Sequence, residues 1–200
     1  MLIIQTDRMK LSKSFILQVV VAVLIVLPYL GMFSIYNWYN NKLQNIENAT
    51  LILISKQEMR LSLYNYKGEE ICKFPMACGL NYGNKMEQGD MKTPEGVFRV
   101  SEIQKSGNWA HDFKDGNGEI IGAFGPYFIR LNVPGHEGIG IHGTHNPDSM
   151  EKRATEGCIR LKNEDLLKIV PLIRHGTVVI ITASKNDVFN TSADELSNSL

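Results

Sequence analysis

Cys158 and His142 are the residues whose types and spacing best fit covalent chemistry. His142 ends the run Gly-Ile-Gly-Ile-His, and Cys158 follows 16 residues later, directly before Ile-Arg-Leu. A thiol is a weak nucleophile near neutral pH until it loses its proton, and a neighbouring imidazole is a common means of removing it. If the two runs form adjacent strands, the imidazole and the sulfur come within hydrogen-bond reach. The sequence therefore predicts Cys158 as a nucleophile and His142 as its general base.

Two glycines beside these residues leave the backbone accessible. Gly143 follows His142, so its carbonyl oxygen is unobstructed and could orient the imidazole by accepting a ring N–H. Gly157 precedes Cys158, and we expect the backbone N–H groups of both residues to point at a developing oxyanion. A single cysteine is also frequently a small buried apolar residue, so the residue types suggest a catalytic site without deciding it.

His145 offers an alternative base three residues after His142, although its place before Asn146-Pro147 favours a solvent-facing loop. His142, His145 and Cys158 could also be three zinc ligands. The chain has neither a Cys-x-x-Cys nor a His-Glu-x-x-His motif, so neither a metal nor another cofactor is predicted.

Two further segments are candidates for substrate contacts. His136 lies in the turn-like run Pro-Gly-His-Glu-Gly, and Trp109 lies in a glycine-rich excursion at residues 105–126. The same excursion carries His111, Asp112 and Phe113, which could form a lid, since binding residues are often found on such loops. Simple loop packing is the other interpretation of this segment.

The elements that must position these residues are short strands. Apolar or alternating runs occur at residues 51–55, 59–66, 69–79, 97–103, 127–133, 138–143 and 177–183. Lys67 and Gly68 form a turn that predicts a hairpin. Asn163 is expected to cap a helix that ends near Pro171. We therefore expect a mainly β domain at residues 51–183, a sandwich or partial barrel, with one short helix after Cys158.

The amino-terminal part predicts a membrane anchor at residues 15–36. No charged residue occurs from Ser14 to Asn41, and about 20 helical residues cover a hydrocarbon core of about 30 Å. Basic residues precede the span, so residues 1–14 are expected in the cytoplasm and the rest outside, on the periplasmic side. A cleaved signal peptide is the alternative, but the run exceeds its usual apolar length and lacks an Ala-x-Ala site. Residues 37–50 are interpreted as a linker and 184–200 as a polar tail.

Charge and cysteine content narrow the possibilities further. Lys plus Arg and Asp plus Glu both number 21, so the chain lacks the excess positive charge by which proteins attract nucleic acid, and no such partner is predicted. Cys72 and Cys78 are too far apart along one extended strand to pair, unless a turn at Pro75 brings them together. Two small core residues are the favoured interpretation.

The segment Thr155-Glu156-Gly157-Cys158-Ile159-Arg160, with His142 upstream, resembles the L,D-transpeptidase catalytic domain, also called the YkuD-type domain. That family places a histidine before Ser or Thr, any residue, Gly and Cys, with Asn or Arg two places later. The run at residues 93–98, Thr-Pro-Glu-Gly-Val-Phe, is similar to a second family segment. Many members carry histidine where this chain has Glu156, and a carboxylate beside a thiolate tends to raise the thiol pKa.

The resemblance implies a periplasmic enzyme whose cysteine attacks the third residue of a peptidoglycan stem peptide. D-Alanine leaves, and the side-chain amine of a second stem resolves the thioacyl-enzyme into a 3→3 cross-link; attachment of a protein to the wall uses the same chemistry. Arg160, Thr155 and Glu156 are then expected to contact substrate, Arg160 through a carboxylate. The alternatives are an L,D-carboxypeptidase or other hydrolase, a sortase, and a catalytically silent wall-binding module. The sortase interpretation is the weaker one, because the chain has no Thr-Leu-x-Thr-Cys segment. The expected partners are stem peptides and the inner membrane.

Overall fold

The computed structural model describes residues 12–47, 49–113, 116 and 118–189 of the chain. These fall into two compact units with a boundary after Ile46. The first unit contains one long helix, α1 (Lys13–Glu47), and the second contains all the strands.

Helix α1 includes the predicted anchor. Residues 13–40 are long and apolar enough to cross a membrane, a property that a signal sequence near an amino terminus would share. Pro28 lies inside the helix, and the helix continues to Glu47, so most of the predicted linker is helical. Residues 1–11, most of the predicted cytoplasmic segment, lie outside the described residues.

The second unit is mainly β, which confirms the predicted fold class. In chain order its strands are β1 (Leu51–Ser55), β2 (Arg60–Tyr64), β3 (Glu70–Pro75), β4 (Cys78–Gly79), β5 (Gly96–Lys105), β6 (Ala110–Asp112), β7 (Glu119–Ile121), β8 (Tyr127–Asn132), β9 (Gly140–His142), β10 (Arg153–Thr155), β11 (Ile159–Arg160) and β12 (Val178–Thr182). The predicted helix after Cys158 is α2 (Asn163–Ile169), followed by a 3₁₀ turn at Val170–Leu172. A second 3₁₀ turn occupies Pro147–Ser149.

Eight strands form one sheet in the order β11, β9, β8, β5, β12, β1, β2 and β3. The pairs β1–β12 and β9–β11 are parallel, and the other neighbours are antiparallel. Two smaller sheets are formed by β4 with β10 and by β6 with β7. The predicted hairpin of β2 and β3 is present, whereas the β6–β7 hairpin lies in the excursion that the sequence analysis left without strands.

The core lies along the middle of the large sheet. In β1, Ile52 and Ile54 are buried while their neighbours are partly exposed, and Leu61 of β2 and Val179 and Ile181 of β12 complete this layer. Burying one such side chain contributes about 1.5–3 kcal/mol. The alternation therefore fixes the strand register, because a slip by one residue would expose the apolar set.

A buried ion cluster closes the end of this sheet. Lys56, directly after β1, has no exposed side chain and lies 2.5 Å from the carboxylate of Glu95 and 3.2 Å from that of Asp187. Arg153 of β10 contacts Asp187 at 2.8 Å. Asp187 is fully buried, so the domain extends past residue 183 into the predicted polar tail, of which residues 190–200 lie outside the described residues.

Candidate active site

The pairing of β9 with β11 brings the two candidate catalytic residues together. The strands are parallel, with Ile159 aligned with Ile141 and Arg160 aligned with His142. Cys158 directly precedes β11 and His142 is the last residue of β9, so this register places them two residues apart along the pair, with their side chains on the same face of the sheet. The adjacency that the sequence analysis required of these two runs is therefore confirmed.

Cys158 and His142 line one open cavity of about 490 Å³. Its other walls come from three segments: the loop before β5, the β6–β7 hairpin, and the chain around β9 and β11. The lining includes Lys85, Met91, His111, Asp112, Phe113, Phe124, Glu137, Thr155, Glu156 and Arg160. Three residues of the predicted lid, at positions 111–113, thus do border the cavity.

His142 is held as a neutral imidazole. Its Nδ1 lies 2.6 Å from the carbonyl oxygen of Gly143, the contact expected from the sequence. An Nδ1–H donated to that carbonyl leaves Nε2 with its lone pair, which is the form that a base needs. Burial lowers the pKa of His142 to about 3, although the Gly143 contact opposes the shift. Phe128 stacks on the ring at 5.6 Å and Phe124 meets it edge-on at 5.0 Å.

Asn163 has a different role from the predicted helix cap. Lys162 occupies the cap position of α2, and Asn163 is the first helical residue. Its side chain instead reaches the loop after His142, where it accepts from the Thr144 N–H at 2.8 Å and donates to the Thr144 carbonyl at 3.0 Å. A Cβ at Gly143 would collide with the Asn163 oxygen, so the glycine is required by this close approach.

Cys158 is half-buried, with its sulfur at the cavity wall. The thiol donates to the carbonyl oxygen of Gly138 at 3.3 Å. Burial raises the pKa of Cys158 to about 11, while the Gly140 N–H and the charge of Lys85 act in the opposite direction and Glu156 adds to the rise. At neutral pH burial thus favours the uncharged form of each group, a protonated thiol at Cys158 and a neutral imidazole at His142.

The backbone around the sulfur bears on two predictions. The Gly157 N–H donates to the hydroxyl of Thr155 at 3.2 Å, so an oxyanion would have to compete with this contact, and the oxyanion roles of the Gly157 and Cys158 N–H groups stay predictions. The Thr155 hydroxyl in turn donates to the Cys158 carbonyl at 2.6 Å. Both contacts of this buried hydroxyl are to backbone, so Thr155 shapes the turn before Cys158; it also lines the cavity, and its predicted contact with substrate stays a prediction.

Arg160 is buried at the cavity with only 4% of its surface exposed. One guanidinium nitrogen donates to the Ser149 hydroxyl at 3.0 Å. Its Nε is buried without a hydrogen-bond partner among the described residues. This nitrogen does not face the cavity, so what Arg160 offers an anionic group there is its positive charge and its remaining guanidinium N–H groups.

Glu156 contacts the β6–β7 hairpin. Its carboxylate lies 3.1 Å from Nε2 of His111, and both side chains remain partly exposed. The His111 ring meets Phe113 edge-on at 4.5 Å and lies 5.4 Å from Phe124. The hairpin is therefore tied to the residue that precedes the Gly-Cys pair.

Three other candidates lie outside the Cys158 cavity. The Trp109 ring lies 5.6 Å from the ring of Phe128, which in turn stacks on His142, so Trp109 contacts the site only indirectly. His136 lines a separate neighbouring cavity. His145 is exposed and does not line this cavity. Of the three residues considered as zinc ligands, only His142 and Cys158 therefore share the cavity.

Sequence reasoning missed Lys85 and the role of Thr93. Lys85 is buried at the cavity and forms an ion pair with Asp90 at 2.7 Å. The Asp90 carboxylate also accepts hydrogen bonds from three backbone N–H groups. Although burial alone would raise the pKa of Asp90, these contacts and Lys85 lower it to about 2. A lysine in a polar loop carries no signal of such burial. Thr93 belongs to the recognised Thr-Pro segment, but its partners lie on two other segments that no local pattern reveals.

A thiol and an imidazole at one cavity of a mainly β domain are residue types that cysteine acyl-transfer enzymes use. The sequence profile of the L,D-transpeptidase catalytic domain, YkuD, matches residues 49–181. The chain belongs to this family.

Individual relatives agree with that assignment. YkuD of Bacillus subtilis (strain 168) is 40% identical over 90 residues, which are 45% of this chain and 45% of that protein. Across the curated relatives that it matches, this chain covers 35% to 53% of their length.

Solved structures show the same fold. The helical cell shape determining protein Pgp2 of Campylobacter jejuni superposes with a TM-score of 0.52 and 23% identity, covering 70% of this chain and 49% of that one. L,D-Transpeptidase 3 of Mycobacterium tuberculosis, determined with a faropenem-derived adduct, gives a TM-score of 0.50 and 18% identity, covering 67% and 60%.

Proposed function

We propose that the domain is a peptidoglycan L,D-transpeptidase that forms 3→3 cross-links through a thioacyl-enzyme on Cys158. The observation that carries the proposal is the convergence of Cys158 and the neutral His142 on one open cavity at the edge formed by β9 and β11. Membership of the L,D-transpeptidase family supports the choice of wall peptides as substrates.

The first half-reaction consumes the donor stem. The Cys158 sulfur bonds to the carbonyl carbon of the third stem residue while its proton passes to Nε2 of His142. Because burial disfavours a separated thiolate and imidazolium, this transfer accompanies the attack. The oxyanion collapses, the C–N bond to D-alanine breaks, and the imidazolium returns the proton to the leaving amine.

The second half-reaction restores the enzyme. The side-chain amine of an acceptor stem bonds to the thioester carbon and gives a proton to His142. The C–S bond then breaks, the sulfur recovers a proton from the imidazolium, and an amide cross-link is released. Water in place of the amine gives hydrolysis, so the carboxypeptidase alternative uses the same residues.

Charged residues at the cavity fit a stem peptide, which carries both carboxylates and amines. Arg160 offers a buried cation for a substrate carboxylate, and Lys85, although paired with Asp90, adds positive charge at the same cavity. Glu156 and Glu137 are carboxylates on the same cavity and suit an approaching amine. Recognition of a ligand with both signs of charge is thus supported by the lining itself.

The proposed location is outside the cytoplasmic membrane, with α1 as anchor. Support comes from the length and apolar character of residues 13–40 and from the basic residues that precede them. A peptidoglycan substrate requires this side of the membrane.

The proposal is tested by incubating the purified full-length protein in detergent with defined tetrapeptide muropeptides. Dimers joined between third residues support transpeptidation, and tripeptides alone indicate the carboxypeptidase. No turnover indicates the silent wall-binding module. Cys158→Ala and His142→Gln should lose activity, while Cys72→Ala is the matched control, because Cys72 is a free thiol outside the cavity.

A further inference from the structure

Thr93 is a fully buried residue whose hydroxyl joins two separate segments. Its Oγ1 accepts from the Gly79 N–H at 2.7 Å and donates to the carbonyl oxygen of Gly157 at 2.9 Å. The Thr93 carbonyl in turn accepts from the buried Lys56 ammonium at 3.3 Å. Thr93 is therefore fixed at both its backbone and its side chain.

The Gly157 carbonyl shares a peptide plane with the Cys158 N–H. Because the peptide unit is planar and trans, the oxygen and the N–H point in opposite directions. A hydroxyl that fixes the oxygen also fixes the direction of the N–H. This N–H matters because the neighbouring Gly157 N–H is already taken by Thr155.

Gly157 needs such external support. Its φ of +129° is one that residues with a side chain rarely adopt, and a Cβ there would come within 2.7 Å of the Lys92 carbonyl oxygen. The site thus requires glycine, and glycine leaves the following peptide free to rotate at little cost. The Thr93 hydroxyl supplies the restraint that the missing side chain cannot.

We propose that Thr93 is a positioning residue that holds the Gly157–Cys158 peptide so that the Cys158 N–H faces the oxyanion formed during acyl transfer. This inference rests on the proposed function. Thr93 itself touches neither the substrate nor the sulfur, and it acts through the peptide that it orients. Loss of one oxyanion donor slows acyl transfer by about 10²–10³-fold, and we expect misorientation to cost about 10- to 100-fold.

Two reactions at the same sulfur separate this role from general destabilisation. Faropenem acylation forms an S–C bond and breaks the lactam C–N bond, with the thiol proton passing to nitrogen, so it develops an oxyanion. Iodoacetamide alkylation displaces iodide and develops none. We expect Thr93→Val in the full-length protein to lose about 10- to 100-fold in acylation rate while its alkylation rate stays within about twofold of wild type.

Two further variants at the same position sharpen the test. Thr93→Ser keeps the hydroxyl and should acylate close to the wild-type rate. Thr93→Ala removes the hydroxyl without leaving a second methyl group beside the Gly157 carbonyl, and it should repeat the Thr93→Val result. The inference would be overturned if Thr93→Val lost acylation and alkylation equally, or lost neither. It would also be overturned if Thr93→Ser failed to retain acylation.

Thr177→Val is the matched control for a lost buried hydroxyl. Thr177 is buried away from the cavity, and its Oγ1 accepts from the Arg174 N–H at 3.1 Å. This variant should lose thermal stability and keep the wild-type ratio of acylation to alkylation; a changed ratio would count against the inference. A wild-type protein that is alkylated but never acylated overturns the proposed function itself, and the role of Thr93 with it.

Discussion

At the scale of single residues, the site is governed by burial rather than by ion pairing. The thiol pKa of Cys158 is raised and the imidazole pKa of His142 is lowered, in both cases chiefly because the charged form would be desolvated. The proposed base is therefore neutral when substrate arrives, and the nucleophile keeps its proton until attack. Two predictions follow from these shifts and the charges around them.

The first concerns stability in acid. Burial lowers the pKa of His142 to about 3, whereas in the unfolded chain it is near 6.5. The unfolded state therefore takes up a proton first, and the stability due to the neutral ring is complete above about pH 6.5 and is lost as pH falls toward 3. At about 1.4 kcal/mol per pH unit, the free energy of unfolding in urea should fall by about 2 kcal/mol between pH 6.5 and 4.5.

The control for this prediction is His142→Gln, which should lack that slope. Asp90 and Asp187 interfere little in this window: their lowered pKa values stabilise the folded state, and most of that stability is lost only below their ordinary value of 3.8. A variant with the same dependence on pH as the wild type would show that His142 is not the group responsible.

The second concerns the thiol. Glu156 raises and Lys85 lowers the pKa of Cys158. Glu156→Gln should therefore move the pH profile of iodoacetamide alkylation to lower pH, and Lys85→Gln should move it to higher pH. Each shift should be less than about one unit, because burial and the Gly140 contact affect the pKa of Cys158 more than either charge does. Shifts of the same sign in both variants would contradict the assignment of these two charges.

At the scale of elements, the sequence predicts the positions of the strands more successfully than the contacts that residues at the strand ends make. The apolar runs before His142 and after Cys158 predict β9 and β11, but their parallel pairing is seen only in the structure. Strands β6 and β7 have three residues each and lie in a glycine-rich segment, where neither an apolar run nor a regular alternation marks them. The hydrogen bond that occupies the Gly157 N–H depends on the Thr155 rotamer, which no spacing rule encodes.

Asn163 supplies the test at this scale. It joins the start of α2 to the loop after His142 through two hydrogen bonds with Thr144. Asn163→Ala should lower the free energy of unfolding by about 1–3 kcal/mol and reduce turnover, because buried backbone groups lose their partners. Asn163→Asp keeps the acceptor and should fall between alanine and wild type in urea unfolding. Unchanged turnover in Asn163→Ala would show that this link does not support the site.

At the scale of the whole molecule, the catalytic domain ends later than its sequence suggests. Residues after 183 are mostly polar and read as a solvated tail, and the partners of Asp187, Lys56 and Arg153, are distant in sequence. Only the folded structure shows that this carboxylate is fully buried. In contrast, the alternation of apolar and polar residues predicts the mainly β class. The change from an apolar run to this alternation predicts the approximate start of the domain.

The boundary is tested by truncation. A chain that stops after residue 183 leaves the buried Lys56 without one of its two carboxylates and should lose about 3–5 kcal/mol. A chain that stops after Phe189 keeps Asp187 and should unfold close to the full-length chain. Thermal unfolding and limited proteolysis measure the difference, and equal stability of the two truncations would place the end of the domain at 183.

The reactivity of Cys158 is the central claim, and intact-protein mass spectrometry after exposure to a carbapenem or to faropenem tests it most directly. We expect one covalent adduct on the wild-type protein and on Cys72→Ala, and none on Cys158→Ala, because acylation requires the sulfur at the cavity wall. An adduct that persists on Cys158→Ala, or a wild-type protein that acquires none, would contradict the assignment of the nucleophile.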